Sequence, residues 1–470
     1  MVKLSCLIPQ VLESVKYNNM TGKRIFYGVL TLFGMAIIGF AVYLNSLMPI
    51  ITGYAAKNLC SAVFVANRDP ENVKAVDLNF SFIKLTKSTI DYNNKSVTSR
   101  FLWGRSKAIY RTGFGVTLLR DIPEATLRSS RYPSGADPGY LQDTIKWPLG
   151  DKLPGRKTGI DTTKLDEIAK RLITDNAYNG DAFAFIVLHK GIPVAEDYKP
   201  QFNQKTRFLS WSMAKSFVNA LVGILVKQGR LDVMKPAGLE EWKGDDRSKI
   251  TLNNLMQMQS GLKWNEDYGN RSDVTLMLHC EGDMGRYAYE RPMAYDTGAH
   301  WYYSSGSTNI VSYLIRKQFS NDSAYYVFAN NQLFNKIGMP DAVFEVDPSG
   351  TRVGSSYLYA TARDYARFGL LFENDGVFNG ERILPEGWVK YSTTGASASN
   401  GLYGSYFWLN KSKKLPSAPE DMYACDGHDG QHIYILPAQE LVIVVVGYSP
   451  LSKGGMDTDR LIKDILGTLK

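Results

Sequence analysis

The sequence holds little of what metal or redox chemistry needs. Its 470 residues include four cysteines, Cys6, Cys60, Cys280 and Cys425, and five histidines, and no cysteine pair has the CxxC spacing of a zinc or dithiol site. No metal and no cofactor are expected. The cysteines make no disulfide framework either; buried free thiols are expected, with a Cys280–Cys425 bridge open as the alternative in an oxidising compartment. His428 and His432 are four apart, but their segment reads as turn and strand, so they do not share a metal-binding face. Lysine and arginine exceed the acids by 54 to 46, a net charge of +8, yet no dense basic run occurs, which excludes a nucleic-acid patch. Repeats and low-complexity tracts are absent as well.

What is present suits a folded protein with a sizeable core: 44% hydrophobic and 21% charged residues. From Ile25 to Ala56 no residue is charged, and the stretch opening IFYGVLTLFGMAIIGFAVYL is long and apolar enough to cross a bilayer. Lys3, Lys16, Lys23 and Arg24 precede it against one acid, Glu13, so the positive-inside tendency puts the N-terminus in the cytoplasm. The expected layout is a cytoplasmic tail (1–24) and an uncleaved single-pass anchor in the inner membrane (25–48), with the remainder facing the periplasm or cell exterior. A cleaved export signal is the alternative, but no clean small-x-small cleavage site appears.

Residues 49–154 read as a small β-rich region and linker. LTKSTIDYNNKSVTSRFLW alternates like strands about a turn at Asn93 and Asn94, SKAIYRTGFGVTLL continues the pattern, and residues 121–157 turn rich in Pro, Gly, Ser and Asp. The main domain, 155–470, opens with Asp161, Thr162 and Thr163 as cap candidates for the helix LDEIAKRLI. AFAFIVLHKGIPVAEDY reads as a hairpin turning at Lys190 and Gly191, and a long helix begins near Met213. Two further strands flank Pro437 and Ala438 in HIYILPAQELVIVVVG, and the helix RLIKDILGTL closes the chain. Thr361 to Asp364 form a capping box.

Three segments carry chemistry. Ser212, Met213, Ala214 and Lys215 form an S-x-x-K at the mouth of an apolar helix, where positions i and i+3 share a face and the amine can reach the hydroxyl. A lysine held away from water can be neutral enough to activate a serine. Ser81 to Lys84 match the same pattern but sit in a strand-like stretch, where residues three apart face opposite ways. Tyr303, Ser304 and Ser305 precede a helix expected to start near Thr308; a tyrosine hydroxyl beside a lysine can relay protons. Gly427, His428, Asp429, Gly430 and Gln431 enter an apolar strand whose glycine lets a substrate backbone approach. There the N–H groups of Ser212 and Gln431 could form an oxyanion hole.

The order S-x-x-K, Y-S-S, H-x-G resembles the serine β-lactamase and penicillin-binding protein superfamily, in its class C-like esterase and amidase branch. ITLNNLMQMQSGL and YATARDYARFGLLFENDGVFNGERILPEGWV resemble that branch too, the latter being closest to the 6-aminohexanoate-dimer hydrolase type. The likeness spans roughly residues 160 to 470. It implies an α/β (α+β) fold, a mixed antiparallel sheet flanked by helices plus an all-helical subdomain. It also implies Ser212 as acylated nucleophile, Lys215 as base and Tyr303 as proton relay. Tyr268, in WNEDYGNRSDV, falls where the dimer-hydrolase type contacts substrate, and Ser305, His428, Asp429 and Gly430 complete the expected substrate-binding set. Penicillin-recognising members usually have K-T-G where this chain has His428, Asp429 and Gly430, so the lysine that greets a β-lactam carboxylate is missing.

The expected function is hydrolysis of a small-molecule ester or amide through an acyl-enzyme. The alternatives are a cell-envelope D-alanyl peptidase or β-lactamase, and a catalytically silent envelope ligand-binding protein.

Overall fold

The computed structural model describes residues 7–133, 142–156 and 159–470, with side chains from residue 24 onward. Cys6, Lys3, the side chains of Glu13, Lys16 and Lys23, and the linker positions 134–141 and 157–158 lie outside the described residues.

Helix α1 (Leu7–Phe64) changes character along its length. Its large apolar side chains from Ile25 to Tyr43 stand open to the surroundings, on a stretch long and apolar enough to cross a membrane, whereas Met48, Ile51, Ala55 and Leu59 are buried. The helix does not stop near 48; its apolar stripe continues as a packing face. That face covers one side of a four-stranded antiparallel sheet, β1 (Lys87–Asp91), β2 (Ser96–Phe101), β3 (Gly104–Arg111) and β4 (Gly115–Leu118), in sequential order. Val97, Ala108, Val116 and Leu118 meet it from the sheet. Ser81 and Lys84 are not in a strand: Ile83–Leu85 make a 3-10 turn, because Ile83 tucks under α1 while Ser81 and Lys84 stay exposed.

The linker wraps the main domain. Trp147 Nε1 donates to Gly191 O at 2.7 Å, and Arg367 donates to Pro148 O and Gly150 O.

The main domain is built on a six-stranded antiparallel sheet. In chain order its strands are β5 (Ala182–His189), β6 (Ile192–Tyr198), β10 (Trp408–Leu409), β11 (Tyr423–Gly427), β12 (Gln431–Leu436) and β13 (Leu441–Gly447). In space they run β10-β11-β12-β13-β5-β6. The pleat sends Phe185 and Val187 to one side, under α2 (Thr162–Ile173) and the C-terminal α6 (Thr458–Leu466). Ile186 and Leu188 go to the other, toward α3 (Ala214–Lys227) and α5 (Ala362–Glu373). Both faces are buried, which is why β5 and β13 read as unbroken apolar runs. Asp161 caps α2, accepting from Lys164 N–H. A small sheet, β7 (Arg207–Leu209), β9 (Leu358–Thr361) and β8 (Val343–Phe344), leads into α3, and a helical layer between residues 252 and 329 covers the far side. The fold is the mixed α/β arrangement expected.

Glu345, fully buried, ties the N-terminal region to this domain. It pairs with Lys57 of α1 and accepts from Ser61 Oγ at 3.0 Å and Val116 N–H at 2.7 Å. Among the described residues the cysteines Cys60, Cys280 and Cys425 are free.

Candidate active site

The nucleophile candidate stands on a tight junction. Strand β7 ends at Leu209, Trp211–Met213 make one 3-10 turn, and α3 begins at Ala214. Every residue of α3 from Ala214 to Leu225 is buried, so its first turn is held from all sides. Trp211 has φ +45°, an uncommon conformation for a side-chain-bearing residue, costing on the order of 1–3 kcal/mol. Its indole is clamped by Tyr54 of α1 (6.3 Å between ring centroids), Tyr357 (6.2 Å) and His428 (5.7 Å). Packing thus holds a strained residue next to Ser212.

Lys215 Nζ lies 3.0 Å from Ser212 Oγ, 3.1 Å from Ser305 Oγ and 3.0 Å from Ser355 O. Ser355 O can only accept. The Ser305 hydroxyl donates its own proton to Glu266 Oε1, so toward the lysine it too can only accept. A neutral amine has two N–H groups and one lone pair. The two donors go to Ser305 and Ser355, and the lone pair is left facing the Ser212 hydroxyl. Burial brings the Lys215 pKa down to about 8 from 10.5, against the opposing pull of Glu266. The amine is therefore available as a base from about pH 8 upward, well below the range of an ordinary lysine.

Tyr303 closes the group. Lys215 Nζ sits 4.8 Å from its ring centroid, and its hydroxyl lies within electrostatic reach of Ser212. The ring stacks on Trp408 at 5.4 Å and meets Tyr403 edge-on at 5.8 Å. Burial, with Tyr403 and Glu266 adding to it, pushes this phenol well above its usual range, so it stays protonated. Helix α4 (Ser305–Arg316) starts three residues earlier than expected, because Ser304 caps it by accepting from Ser307 N–H. Ser305 is fully buried inside the polar network.

The Gly427–Gln431 turn forms the opposite wall. A Cβ on Gly427 would stand 2.3 Å from Ser210 O, so the close approach this glycine permits is to the nucleophile turn and not to a substrate backbone. Asp429 and Gly430 have φ +59° and +92°. The Gln431 side chain reaches away from Ser212, donating to Gly447 O at 2.6 Å and accepting from Gly447 N–H. His428 stacks on Tyr268 at 5.0 Å, and Tyr268 donates to Glu266 at 3.5 Å. Tyr268 is thus half-buried against the site. Burial raises the Asp429 carboxyl, which lines an open cleft together with Trp211, Gln431, Tyr54 and Asn58; this cleft adjoins the nucleophile turn, and Ser212, Lys215 and Tyr303 are not among its lining residues.

The beta-lactamase family profile matches residues 165–466 of this chain. The chain belongs to that family. It is 25% identical over 314 residues to the 6-aminohexanoate-dimer hydrolase of Paenarthrobacter ureafaciens, covering 61% of this chain and 78% of that one. Among solved structures it resembles a penicillin-binding protein homologue from Caulobacter crescentus, with a TM-score of 0.53, 14% identity and coverage of 67% and 98%. It also resembles EstCE1, a hydrolase with promiscuous acyltransferase activity, with a TM-score of 0.53, 12% identity and coverage of 65% and 99%. The chain is a serine hydrolase of the beta-lactamase family.

Three groups packed at the candidate site escape a reading of the sequence. Glu266 holds Ser305 through both its hydroxyl and its N–H (2.9 Å). It lies two residues before Tyr268, in the segment WNEDY, where a carboxylate beside an aromatic was a usable signal. Ser355 contributes a backbone carbonyl and is itself pinned by Asn309, whose amide bonds Ser355 N and Oγ. Trp211 is marked only by its backbone angle, and neither feature has a sequence signature.

Proposed function

We propose that this hydrolase cleaves an ester or amide in two steps, with Ser212 as nucleophile, Lys215 as general base and Tyr303 as proton relay. The single observation that carries the reading is Lys215 Nζ at 3.0 Å from Ser212 Oγ with two acceptors, Ser305 Oγ and Ser355 O, on its other sides, so that a neutral amine turns its lone pair to Ser212. Ser212 Oγ attacks the carbonyl as its proton passes to Lys215. The protonated Tyr303, beside Ser212 and the ammonium, delivers its proton to the leaving alcohol or amine and takes one back from the Lys215 ammonium; with the amine neutral again, water repeats the sequence on the acyl-enzyme, and the proton that water gives up returns to Ser212. The N–H groups of Ser212 and Gln431 are assigned to the oxyanion, a contribution worth about 10²–10³ in rate per donor.

The similarity to 6-aminohexanoate-dimer hydrolase favours small amides or esters as substrates, with Tyr268 and His428, stacked beside Trp211, and Asp429 of the neighbouring cleft as specificity groups. We read residues 25–48 as an anchor and the catalytic body as facing the periplasm or cell exterior; the open apolar surface of that segment and the basic residues preceding it support this. A serine-directed fluorophosphonate is expected to label the wild type at Ser212 and to leave Ser212→Ala unlabelled. Lys215→Ala should slow labelling by about 10²–10⁴. Labelling of Ser212→Ala, or undiminished labelling of Lys215→Ala, refutes the assignment. A fluorescent penicillin should not acylate the protein, since no lysine stands at His428.

A further inference from the structure

We infer that the β2–β3 end of the N-terminal sheet is a second membrane contact, a collar that docks on anionic lipid headgroups around the emerging helix. The inference rests on reading residues 25–48 as a membrane span. Helix α1 runs along the sheet in a known direction. At one end Trp103 Nε1 donates to Asn45 Oδ1 at 2.9 Å; at the other Phe64 meets Tyr92 at 5.9 Å. The turn between β2 and β3 therefore points the same way as the open apolar part of α1, toward the bilayer.

That turn carries Leu102 and Trp103, 62% and 59% exposed, and Phe82 and Leu85 stand beside it at 48% and 53%. Phe82 reaches the turn through the Phe101 ring at 6.0 Å. An indole with its body open and its N–H satisfied is the side chain that settles at a headgroup boundary.

Charge points to the same partner. Lys87 pairs in register with Arg100, and Arg100 with Arg105, so three cations stand side by side on the outer face of the sheet at this end. Among the described residues none of the three has an acidic partner, and like charges directly opposite repel. Between residues 79 and 120 the chain has eight basic residues and a single acid, Asp91, which lies at the far end of β1. A row of unpaired cations beside exposed aromatic and aliphatic side chains, next to a membrane-entering helix, is complementary to phosphate headgroups over an apolar layer.

The test uses the full chain reconstituted in vesicles containing lipids brominated on the acyl chains, whose bromines quench tryptophans at the boundary. In phosphatidylglycerol vesicles the wild type is expected to be quenched, and Trp103→Phe should lose most of that quenching. A Lys87→Gln/Arg100→Gln/Arg105→Gln variant should drop to the level seen in phosphatidylcholine, with hydrolysis in detergent unchanged. Equal quenching of wild type and Trp103→Phe overturns the inference. So does Trp103 emission that follows protein density instead of bromine, which would make a second copy of the chain the occupant. Alkaline carbonate extraction separates the two failures. A chain released by carbonate refutes the membrane span itself, whereas a chain retained but unquenched refutes only the collar.

Discussion

An amine with a pKa near 8 makes the rate of this hydrolase pH-dependent in a definite direction. With the neutral form of Lys215 as the proposed base, kcat/KM should rise with pH and level off above about 8, read from initial rates on a small ester. Glu266 pulls this pKa upward; Glu266→Gln should therefore move the rising limb to lower pH. Stability carries a second signature of the same burial, at higher pH. The folded chain binds the lysine proton more weakly than the unfolded chain does, so stability should climb between about pH 8 and the unfolded value of 10.5. At neutral pH the buried ammonium costs roughly 3 kcal/mol by this shift, and Lys215→Met, though inactive, should melt at a higher temperature. The Ser212–Lys215 pair was legible because its spacing is local, one helical turn. The acceptors that orient the amine come from 90 and 140 residues away, and one of them is a backbone carbonyl, so no side-chain pattern announces it.

At the scale of elements, the active site is a contact between two turns. Gly427 admits Ser210 O at a distance no Cβ tolerates, and that contact sets the nucleophile turn against β11. Gly427→Ala should push the turn outward and reduce kcat by about 10²-fold or more, since a misplacement of about 1 Å is worth that much. Circular dichroism should show the sheet intact. The strands of the main sheet and the hairpins at Lys190–Gly191 and Asn93–Asn94 were readable from apolar runs bounded by turn residues. Two boundaries were not. Helix α4 begins at Ser305 because a serine cap outweighs the aromatic run before it, and Ile83 bends its segment into a turn because the underside of α1 offers burial. Both outcomes depend on tertiary partners, which local propensity does not contain.

At the scale of the molecule, the N-terminal region and the hydrolase body are joined by buried charge. Lys57→Met should destabilise the protein by about 3–5 kcal/mol, because it leaves the Glu345 carboxylate buried without its cation. Burial already raises the Glu345 pKa above 4.5, and losing Lys57 raises it further. A carboxyl with a raised folded pKa is best tolerated protonated, so the deficit should shrink on acidification and grow as pH rises through that value. Thermal unfolding of the detergent-solubilised chain across pH measures it.

Helix α1 runs without interruption from the exposed apolar segment to the ring of Tyr54 that clamps Trp211. With residues 25–48 as the proposed anchor and Ser212 as the proposed nucleophile, the separation between bilayer and serine is quantised by the helix. From Asn45 to Tyr54 the axial rise is about 14 Å. One residue inserted after Asn45 would swing the outer segment by about 100° relative to the body and uncouple Trp103 from its partner, while seven would nearly restore the angle but lift the enzyme about 10 Å off the lipid surface. Phase and height can be tuned independently in this way, and turnover on a substrate confined to the membrane would report the height alone.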